Sequence, residues 1–326
     1  MNEVLICQLP DSNNLLGAHG RWIKCSLNEL PENCFFLTHF DQSSAYFFDE
    51  IGPIDMEECE RLLHFNDGSS SMLSKEEYLK VFHDFQDDFE AKGVQKAILS
   101  RIKSVARGEK SLLRVFEDLL DAYGERAFVY FVSSPQFGTW MGATPEVLLS
   151  GNEERLNSMS LAGTKRLADE VWTEKEIEEQ QLVTDFVRAQ ILESIPNTFR
   201  EFPVETIFTG AVYHLRTRFE FSLAQKHWME LLLRLHPTPA VCGLPRENAL
   251  KLIAQHEPHS RNLYTGLIGK RSSNGLSIYV NLRCMEVTKE TYNIYVGGGI
   301  TPRSLSENEW LETENKAKTL ERIISE

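Results

Sequence analysis

Two pairs of acidic residues are spaced so that their side chains could bind a metal ion together. Glu176 and Glu179 are three residues apart, and so are Glu309 and Glu312. At this spacing both members of a pair lie on one face of a helix. Four carboxylates from two distant segments could hold a hard cation such as magnesium, which prefers oxygen ligands. A solvated acidic helix face would have the same pattern, so the spacing alone leaves both interpretations open.

A glycine run and a proline-rich segment are further candidates for a binding site. Gly297-Gly298-Gly299 precedes the second acidic segment. Backbone N–H groups there could receive a carboxylate, although a tight turn would need the same glycines. The segment LHPTPAVCGLP, residues 235–245, contains three prolines and a glycine. Rigid loops of this kind often shape pockets, and a purely structural corner explains the composition as well.

Lys96 and Glu146 are charged residues among apolar neighbours, which is an unusual setting for either. Lys96 opens the stretch KAILSRIKSV, and Glu146 follows Pro145 in WMGATPEVLL. Burial favours the neutral form of an ionisable group, so a buried lysine can accept a proton and a buried carboxyl can donate one. A lysine whose long side chain reaches solvent is the alternative.

Helices and strands are interspersed without strict β–α–β alternation, which predicts an α+β fold rich in antiparallel strands. Ser74 and Glu77 form a capping-box pattern that predicts a helix ending near Lys92. Apolar periodicity predicts further helices over residues 111–122, 174–193, 223–235, 246–255 and 307–324. In the longest of them we place Leu182, Phe186, Ala189 and Leu192 on the buried stripe.

Strands are predicted mainly in the middle and at the end of the chain. The first 70 residues look irregular, apart from the apolar runs CFFLTHF and SAYFFDEIG, which suit strands. The other predicted strands cover residues 96–105, 128–132, 139–149, 276–287 and 291–296.

The composition is that of an ordinary globular protein. Of 326 residues, 42% are hydrophobic and 25% are charged. With 48 acidic and 34 basic residues the net charge is −14, which argues against non-specific nucleic-acid binding. No apolar run is long enough for a membrane span, the first ten residues do not resemble a signal peptide, and the six cysteines lack zinc-site spacing. We therefore expect a cytoplasmic protein without a nucleic-acid or membrane partner.

Taken in order, nine segments resemble the chorismate-utilising enzymes, the family of isochorismate, salicylate, anthranilate and aminodeoxychorismate synthases. They are KAILSR, GATPEVLL, LAGTKR, KEIEEQQLV, HLRT, LHPTPAVCGLP, EPHSRNLYTGLIG, VNLRC and GGGITPRSLSENEWLETENK. The resemblance covers residues 94–324, and residues 1–90 would be a variable part of the same domain. It implies a single domain over residues 1–326, in which two mostly antiparallel β-sheets pack together with helices outside.

The resemblance also implies roles for residues in these segments. Glu179 and Glu312 would be the direct magnesium ligands, and Glu176 and Glu309 would complete the acidic shell. The groups expected to bind the two substrate carboxylates are Tyr264, Arg283, Lys316 and the backbone of Gly298 and Gly299. The expected pocket walls are Gly163, Thr164, His214, Thr238 and Ala240.

The reaction implied by the resemblance adds water at C2 of chorismate while hydroxide leaves C4. Such a reaction needs a base on one face, an acid on the other and a cation to hold the ring carboxylate. Lys96 then fits the base that activates water, and Glu146 fits the acid that protonates the departing hydroxyl.

Three positions favour an isomerase that makes isochorismate. Amine-transferring relatives carry glutamine at the position of Lys96, and familiar aminodeoxychorismate synthases use a nucleophilic lysine at the position of Ala162. Salicylate and anthranilate synthases usually have threonine at the position of Ala240. Gln180 departs from the usual histidine but can still form hydrogen bonds. We expect a magnesium-dependent enzyme that uses water and needs no glutaminase subunit.

Two alternatives remain open at this point. A salicylate synthase would form isochorismate and then eliminate pyruvate in the same site. A non-catalytic chorismate-binding subunit would keep the pocket without turnover, but intact Lys96, Glu146 and the four glutamates argue against it. Isochorismate could serve either menaquinone or siderophore synthesis, and we favour menaquinone as the commoner bacterial need.

Overall fold

The computed structural model of the chain describes residues 2–10, 12, 14–66, 72–195, 198–209 and 212–325. These residues form seventeen β-strands and seven α-helices. All pairings between the strands are antiparallel. Within the same ranges no helix is both long and apolar enough to cross a membrane.

The strands and helices alternate irregularly along the chain. In chain order the strands are β1 (Glu3–Gln8), β2 (Leu15–Cys25), β3 (Cys34–Thr38), β4 (Ala45–Pro53), β5 (Lys96–Ala106), β6 (Phe128–Ser134), β7 (Gly138–Thr144), β8 (Val147–Gly151), β9 (Leu156–Lys165), β10 (Arg200–Glu201), β11 (Glu205–Phe208), β12 (Tyr213–Phe221), β13 (Gly243–Leu244), β14 (Leu267–Ser272), β15 (Gly275–Val280), β16 (Cys284–Val287) and β17 (Thr291–Ile300). The helices are α1 (Met56–Cys59), α2 (Lys75–Lys92), α3 (Leu112–Tyr123), α4 (Glu174–Ser194), α5 (Trp228–Leu235), α6 (Arg246–His256) and α7 (Ser306–Ser325).

Hydrogen bonds join the strands into one continuous sheet, whose two halves face each other. One half runs β12-β9-β8-β15-β14-β3-β4, and the other runs β2-β1-β6-β7-β16-β17-β5-β13. The α+β class with antiparallel packing is confirmed, and the two expected layers are halves of one sheet. Strands from residues 1–90 are integral to it, since β1 pairs with β6 and β3 pairs with β14.

An aromatic core lies between the two halves of the sheet. The ring of Phe128 on β6 stacks on Phe35 of β3 and Tyr279 of β15, at centroid distances of 5.8 and 4.8 Å. Successive strand residues point to opposite faces. Leu5 on β1 therefore enters this core, whereas its neighbour Val4 packs on the outer side. Burial of such rings is a large apolar contribution to stability.

The helices cover the outer faces of the sheet. Helices α4 and α5 pack on β8, β9 and β12. Helices α3 and α7 pack on β1, β6 and β17, and α2 and α6 pack on β5 and the end of β17. The two helices that carry the acidic pairs thus lie on different halves of the sheet.

Most predicted helices are confirmed, but the buried stripe predicted for α4 is only partly right. Phe186 packs against the core together with Val183, Val187 and Ile191, whereas Ala189 and Leu192 are exposed. Two polar residues share the buried face and obscure the apolar period, because they bond to β9 instead of water. Gln180 donates to the carbonyl of Ser160, and the Thr184 hydroxyl lies 2.8 Å from the Ser160 hydroxyl.

Four predictions that concern strands also need correction. The predicted strand 139–149 is divided into β7 and β8 at Pro145 and Glu146, and 276–287 is divided into β15 and β16 at residues 281–283. Proline cannot donate to a strand ladder, and Arg283 has a left-handed backbone with φ of 47°. The glycine run lies inside β17, not in a turn, and the first 70 residues hold four strands instead of an irregular segment.

Candidate active site

A cavity opens between β5, β9, β17 and the start of α4. The predicted site residues that line it are Glu146, Gly163, Thr164, Glu179, His214, Ala240, Tyr264, Arg283, Gly299 and Lys316. Lys96 lies at its wall, since it shares a face of β5 with Ile98, which lines the cavity. Thr238 is buried beneath the wall, where its carbonyl accepts from the amides of Val241 and Cys242.

The glycine run lets side chains approach the backbone of β17 closely. A Cβ atom on Gly299 would lie 2.8 Å from Oε1 of Glu179 and 3.0 Å from Cε of Lys96. A Cβ on Gly298 would lie 3.0 Å from Oε2 of Glu309. Any side chain at these positions would displace the carboxylates, so the run is explained by close packing and not by a turn.

Three of the four predicted metal ligands gather around this glycine backbone, and each is paired with a lysine. The pairs are Lys96 Nζ with Glu179 Oε1 at 2.8 Å, Lys175 Nζ with Glu309 Oε1 at 2.6 Å, and Lys316 Nζ with Glu312 Oε1 at 2.7 Å. Burial alone would raise the pKa of Glu179, but the ammonium groups of Lys96, Lys316 and Lys175 hold that pKa below its usual value. The carboxylate is therefore ionised.

Glu309 is the most buried carboxylate of the shell, with 1% of its side chain exposed. Burial and the nearby charge of Glu312 raise its pKa, and Lys175 opposes this effect. Its Oε2 atom has no hydrogen-bond partner among the described residues. A buried oxygen without a partner is costly, and it is the kind of hard donor that magnesium takes.

The carboxylates of the shell do not converge on one point. Across the described ranges, no three Asp, Glu, His or Cys side chains form a group that could hold a metal ion. Glu179 approaches Gly299 and Glu309 approaches Gly298, so the strand backbone lies between them. The donor chemistry fits magnesium, but the lysine contacts would have to open for the oxygens to converge.

Glu176 has a different environment from the other three glutamates. Its Oε2 accepts hydrogen bonds from the backbone N–H of Thr173, at 3.0 Å, and from the Thr173 hydroxyl. This is the capping box that begins α4. The backbone of Glu176 also packs on Gly163, whose φ of 67° and missing Cβ allow the close approach.

The buried pair of Lys96 and Glu146 has the properties expected of a base and an acid. Lys96 is 0% exposed, and the angle of its contact with Glu179 leaves Nζ without a well-formed hydrogen bond in the described chain. Burial raises the pKa of Glu146 to about 8, and the charge of Lys96 limits the rise. Glu146 is therefore mainly protonated at neutral pH and can donate a proton.

Arg283 and His214 form a polar corner of the cavity. The Nδ1 of His214 lies 2.7 Å from the carbonyl of Gly163, so this nitrogen is the donor. Burial and the neighbouring Arg283 lower the pKa of His214 to about 3, and the ring is neutral. Burial lowers the pKa of Arg283 to about 10, so it stays charged and donates to the backbone and hydroxyl of Thr209.

Lys316 and Tyr264 complete the polar part of the wall. Lys316 donates to the carbonyl of Gly297 at 2.9 Å as well as to Glu312. Burial would lower its pKa, but Glu312 and Glu179 raise it above the usual value. The phenol of Tyr264 lies 3.1 Å from the Cβ position of Gly297. Burial raises its pKa, so it is a neutral donor.

Sequence reasoning missed the apolar walls and two polar contacts. Side chains such as Ile98, Leu161, Val241, Leu282 and Tyr295 line much of the cavity. Their apolar character gave no signal that distinguished them from the core. Lys175 could have been found, because it precedes Glu176 and lies four residues before Glu179 on the same helix. The contact of Thr209 with Arg283 had no local signal.

Comparison with known proteins identifies relatives of the chain. Residues 50–322 match the model of the chorismate binding enzyme family. The isochorismate synthase EntC of Escherichia coli K12 is 31% identical over 244 residues, which are 71% of this chain and 62% of that protein. The vibriobactin-specific isochorismate synthase of Vibrio cholerae is 29% identical over 264 residues, 77% of this chain and 67% of that protein.

Solved structures show the same fold over nearly the whole chain. A putative 2,3-dihydroxybenzoate-specific isochorismate synthase, DhbC, from Bacillus anthracis superposes with a TM-score of 0.82 at 23% identity, covering 99% of this chain and 96% of that one. The menaquinone-specific isochorismate synthase MenF from Escherichia coli gives a TM-score of 0.81 at 20% identity, covering 99% and 88%. The match to the family model over residues 50–322 shows that the chain belongs to the chorismate binding enzyme family.

Proposed function

We propose that this protein is an isochorismate synthase, which converts chorismate into isochorismate. The observation that carries the proposal is the placement of Lys96 and Glu146 at one cavity, the first beside Glu179 and the second neutral at physiological pH. Ala162, which lines the same cavity, has no nucleophile that could form a covalent adduct. The relatives named as isochorismate synthases support the same reaction.

In this reaction Lys96 takes a proton from water, whose oxygen forms a bond to C2 of the ring. The two ring double bonds each shift by one position, and the bond between C4 and its hydroxyl breaks. Glu146 gives its proton to the departing hydroxyl, which leaves as water. Lys96 is an ammonium in contact with Glu179 in the structure, so it must first transfer a proton to Glu179 as this contact opens, and its neutral amine can then take a proton from water.

The cationic side chains of the cavity would hold the two substrate carboxylates. Arg283 can form a bidentate contact with one carboxylate, and Lys316 supplies a compact positive charge at the other end of the glycine run. Tyr264 donates from a neutral phenol beside Gly297. His214 keeps Arg283 in place, because its Nε2 lies 3.4 Å from a guanidinium nitrogen.

Magnesium is part of the proposal, with Glu179, Glu309 and Glu312 as the carboxylates that would hold it. A bound magnesium ion supplies positive charge that neutralises the ring carboxylate and the acidic wall. The unpartnered oxygen of Glu309 supports this assignment. Glu176 could join the shell only by leaving the helix cap.

The direct test is product analysis with chorismate as substrate. We expect isochorismate in the presence of magnesium, no turnover with EDTA, and recovery when magnesium is restored. Chromatography that shows salicylate and pyruvate instead would identify a salicylate synthase. Calorimetric binding of chorismate without any turnover would identify a non-catalytic subunit and refute the proposal.

A further inference from the structure

A buried ion pair lies behind the cavity wall and outside the site described above. Glu257 and Arg261 follow helix α6, and their side chains are 3% and 2% exposed. The contact is bidentate, with Nε donating to Oε2 at 2.8 Å and Nη2 donating to Oε1 at 2.6 Å. Neither residue lines the catalytic cavity. A buried pair of this kind is weak evidence of added stability, so its other contacts are informative.

Three further hydrogen bonds of this ion pair go to the backbone of two wall segments, besides a longer one of 3.5 Å to the Thr265 hydroxyl. Arg261 donates from Nη1 to the carbonyl of Val241 at 2.7 Å and from Nη2 to the carbonyl of Ile98 at 2.9 Å. Glu257 accepts from the amide of Ser100 at 2.7 Å. Ile98 and Val241 both line the cavity. One guanidinium therefore connects two walls that come from distant parts of the sequence.

Each connected segment carries a residue of the proposed reaction. Ile98 follows Lys96 by two residues on β5, and Val241 follows Ala240. Apart from Arg261, the segments are held together by the short pairing of β13 with Lys96 and Ala97 and by two amides, those of Gln95 and Ile98, which donate to the carbonyl groups of Leu244 and Cys242 at 2.8 Å. The ion pair adds side-chain hydrogen bonds to this backbone pairing between Lys96 and the wall formed by Ala240.

We propose that Arg261 and Glu257 are positioning residues that hold Lys96 at a set distance from the wall at Ala240. Arginine suits this role because its planar fork donates in several fixed directions at once. A lysine could keep the contact with Glu257 but could not reach both carbonyl groups. The effect on catalysis rests on the function proposed above, whereas the effect on the backbone does not.

The test replaces the ion pair by apolar side chains of similar size, Arg261→Met with Glu257→Leu. Such replacements of buried pairs are often tolerated, because no single charge is left buried. A matched control is Arg188→Met with Glu201→Leu. That pair is also bidentate, with both distances 2.7 Å, but it lies on the partly exposed outer side of α4. Arg261→Lys is the second variant, for use if the double variant does not fold.

Two measurements decide the proposal. Amide hydrogen exchange without substrate should become about tenfold faster at Ser100 and in residues 238–244, the effect expected for one lost hydrogen bond. The kcat for chorismate should fall on the order of 10- to 100-fold, the usual cost of a misplacement of about 1 Å. KM should change much less, since the carboxylate-binding groups are untouched, and the control should match the unmodified protein in both measurements.

Unchanged exchange in these segments would overturn the proposal, and so would faster exchange with an unchanged kcat. If the unmodified protein forms no isochorismate, the proposed function fails instead. The exchange measurement would then still decide whether the ion pair holds the two walls.

Discussion

The first two turns of α4 and α7 carry acidic pairs of the same spacing in different surroundings. On α4, Glu176 bonds to Thr173 and caps the helix, and only Glu179 reaches the cavity. On α7, Glu309 is almost fully buried with one oxygen unpartnered, and Glu312 pairs with a lysine of its own helix. The spacing of two residues determines whether their side chains share a helix face. The contacts that this face makes in the folded protein determine whether a side chain caps the helix or lies at the cavity.

The largest effect is expected for Lys96, which lies on β5 and pairs with Glu179 of α4. Lys96→Ala should reduce kcat on the order of 10² to 10⁴-fold, the usual range for loss of a general base. KM should change less, because the carboxylate-binding groups remain. Lys103→Ala is the control, since Lys103 lies on the same strand and pairs with Glu314 and Glu321 of α7. Steady-state kinetics that leave Lys96→Ala with more than about a tenth of the normal kcat would exclude Lys96 as the base.

The next largest effect is expected for Glu312 on α7, where a substitution should weaken magnesium binding. Glu312→Gln should weaken magnesium binding and activity by about 100-fold or more, because even residues that only support metal ligands typically cost 10- to 100-fold. Folding should be preserved, since Glu312 is partly exposed. Calorimetric titration with magnesium is the measurement. A variant that binds magnesium normally would remove Glu312 from the shell.

Glu146 should impose a pH limit on the reaction. Because its pKa is about 8, the proton that it donates is lost as the pH rises above this value. The kcat/KM of the unmodified enzyme should therefore decline at alkaline pH. Glu146→Gln should lose activity on the order of 10²-fold or more, since an amide cannot act as the acid. A pH–rate profile that stays flat beyond pH 9 would argue against this role.

The same residue should lower stability at alkaline pH. In the folded protein Glu146 keeps its proton up to about pH 8, whereas its ordinary pKa is 4.5. Between these values the folded state binds more protons than the unfolded state, so stability falls as the pH rises. Glu146→Gln removes this loss. Its melting temperature at pH 9 should exceed that of the unmodified protein, and a lower value would contradict the buried, protonated state.

A smaller effect is expected at the wall that Arg261 holds. Ala240→Thr adds a hydroxyl and a methyl group to a wall of the cavity. The conversion to isochorismate should slow roughly tenfold, the scale of a one-group change in a pocket, and some pyruvate should be released. A coupled pyruvate assay measures the second product. Abundant pyruvate from the unmodified protein would place it among the salicylate synthases.

The smallest effect should come from Glu176, and it sharpens the contrast between the helices. Glu176→Ala should lower stability by about 1 kcal/mol through loss of the cap, with magnesium affinity and kcat nearly unchanged. Glu174→Ala is the control, because it is an exposed residue of the same first turn. A loss of magnesium binding as large as that of Glu312→Gln would place Glu176 in the metal shell.

Local sequence signals predicted the elements with strong boundaries. The capping box of Ser74 and Glu77 predicted a helix ending near Lys92, and the structure confirms α2, which ends at Lys92 with a left-handed Gly93 after it. The predictions failed where tertiary contacts replaced a local rule. Gln180 and Thr184 are polar, yet they are buried against β9, so the apolar period of α4 was assigned in part to the wrong residues, Ala189 and Leu192.

Sequence motifs predicted which residues belong to the site. They could not predict the distances and contacts between those residues. Ordered segments identified most of the polar and charged residues that line the cavity, because those residue types were tied to their chemistry. The pairing of each carboxylate with a lysine depends on how α4, α7 and β5 meet at β17. Contacts between distant segments cannot be predicted from the local spacing of residues. The same holds for the buried hydrogen bonds from Arg261 to the carbonyl groups of Ile98 and Val241.

Lys96 is proposed to activate water for attack on the ring, and isotope labelling is the most direct test of this role. Chorismate is converted in water enriched in ¹⁸O, with magnesium present, and early product is analysed by mass spectrometry. If Lys96 activates water, isochorismate should carry one heavy oxygen atom, located in the new hydroxyl at C2. Lys96→Ala should form this labelled product far more slowly. Isochorismate without the label would mean that the original hydroxyl moves within the molecule, and the proposed roles of Lys96 and Glu146 would be contradicted.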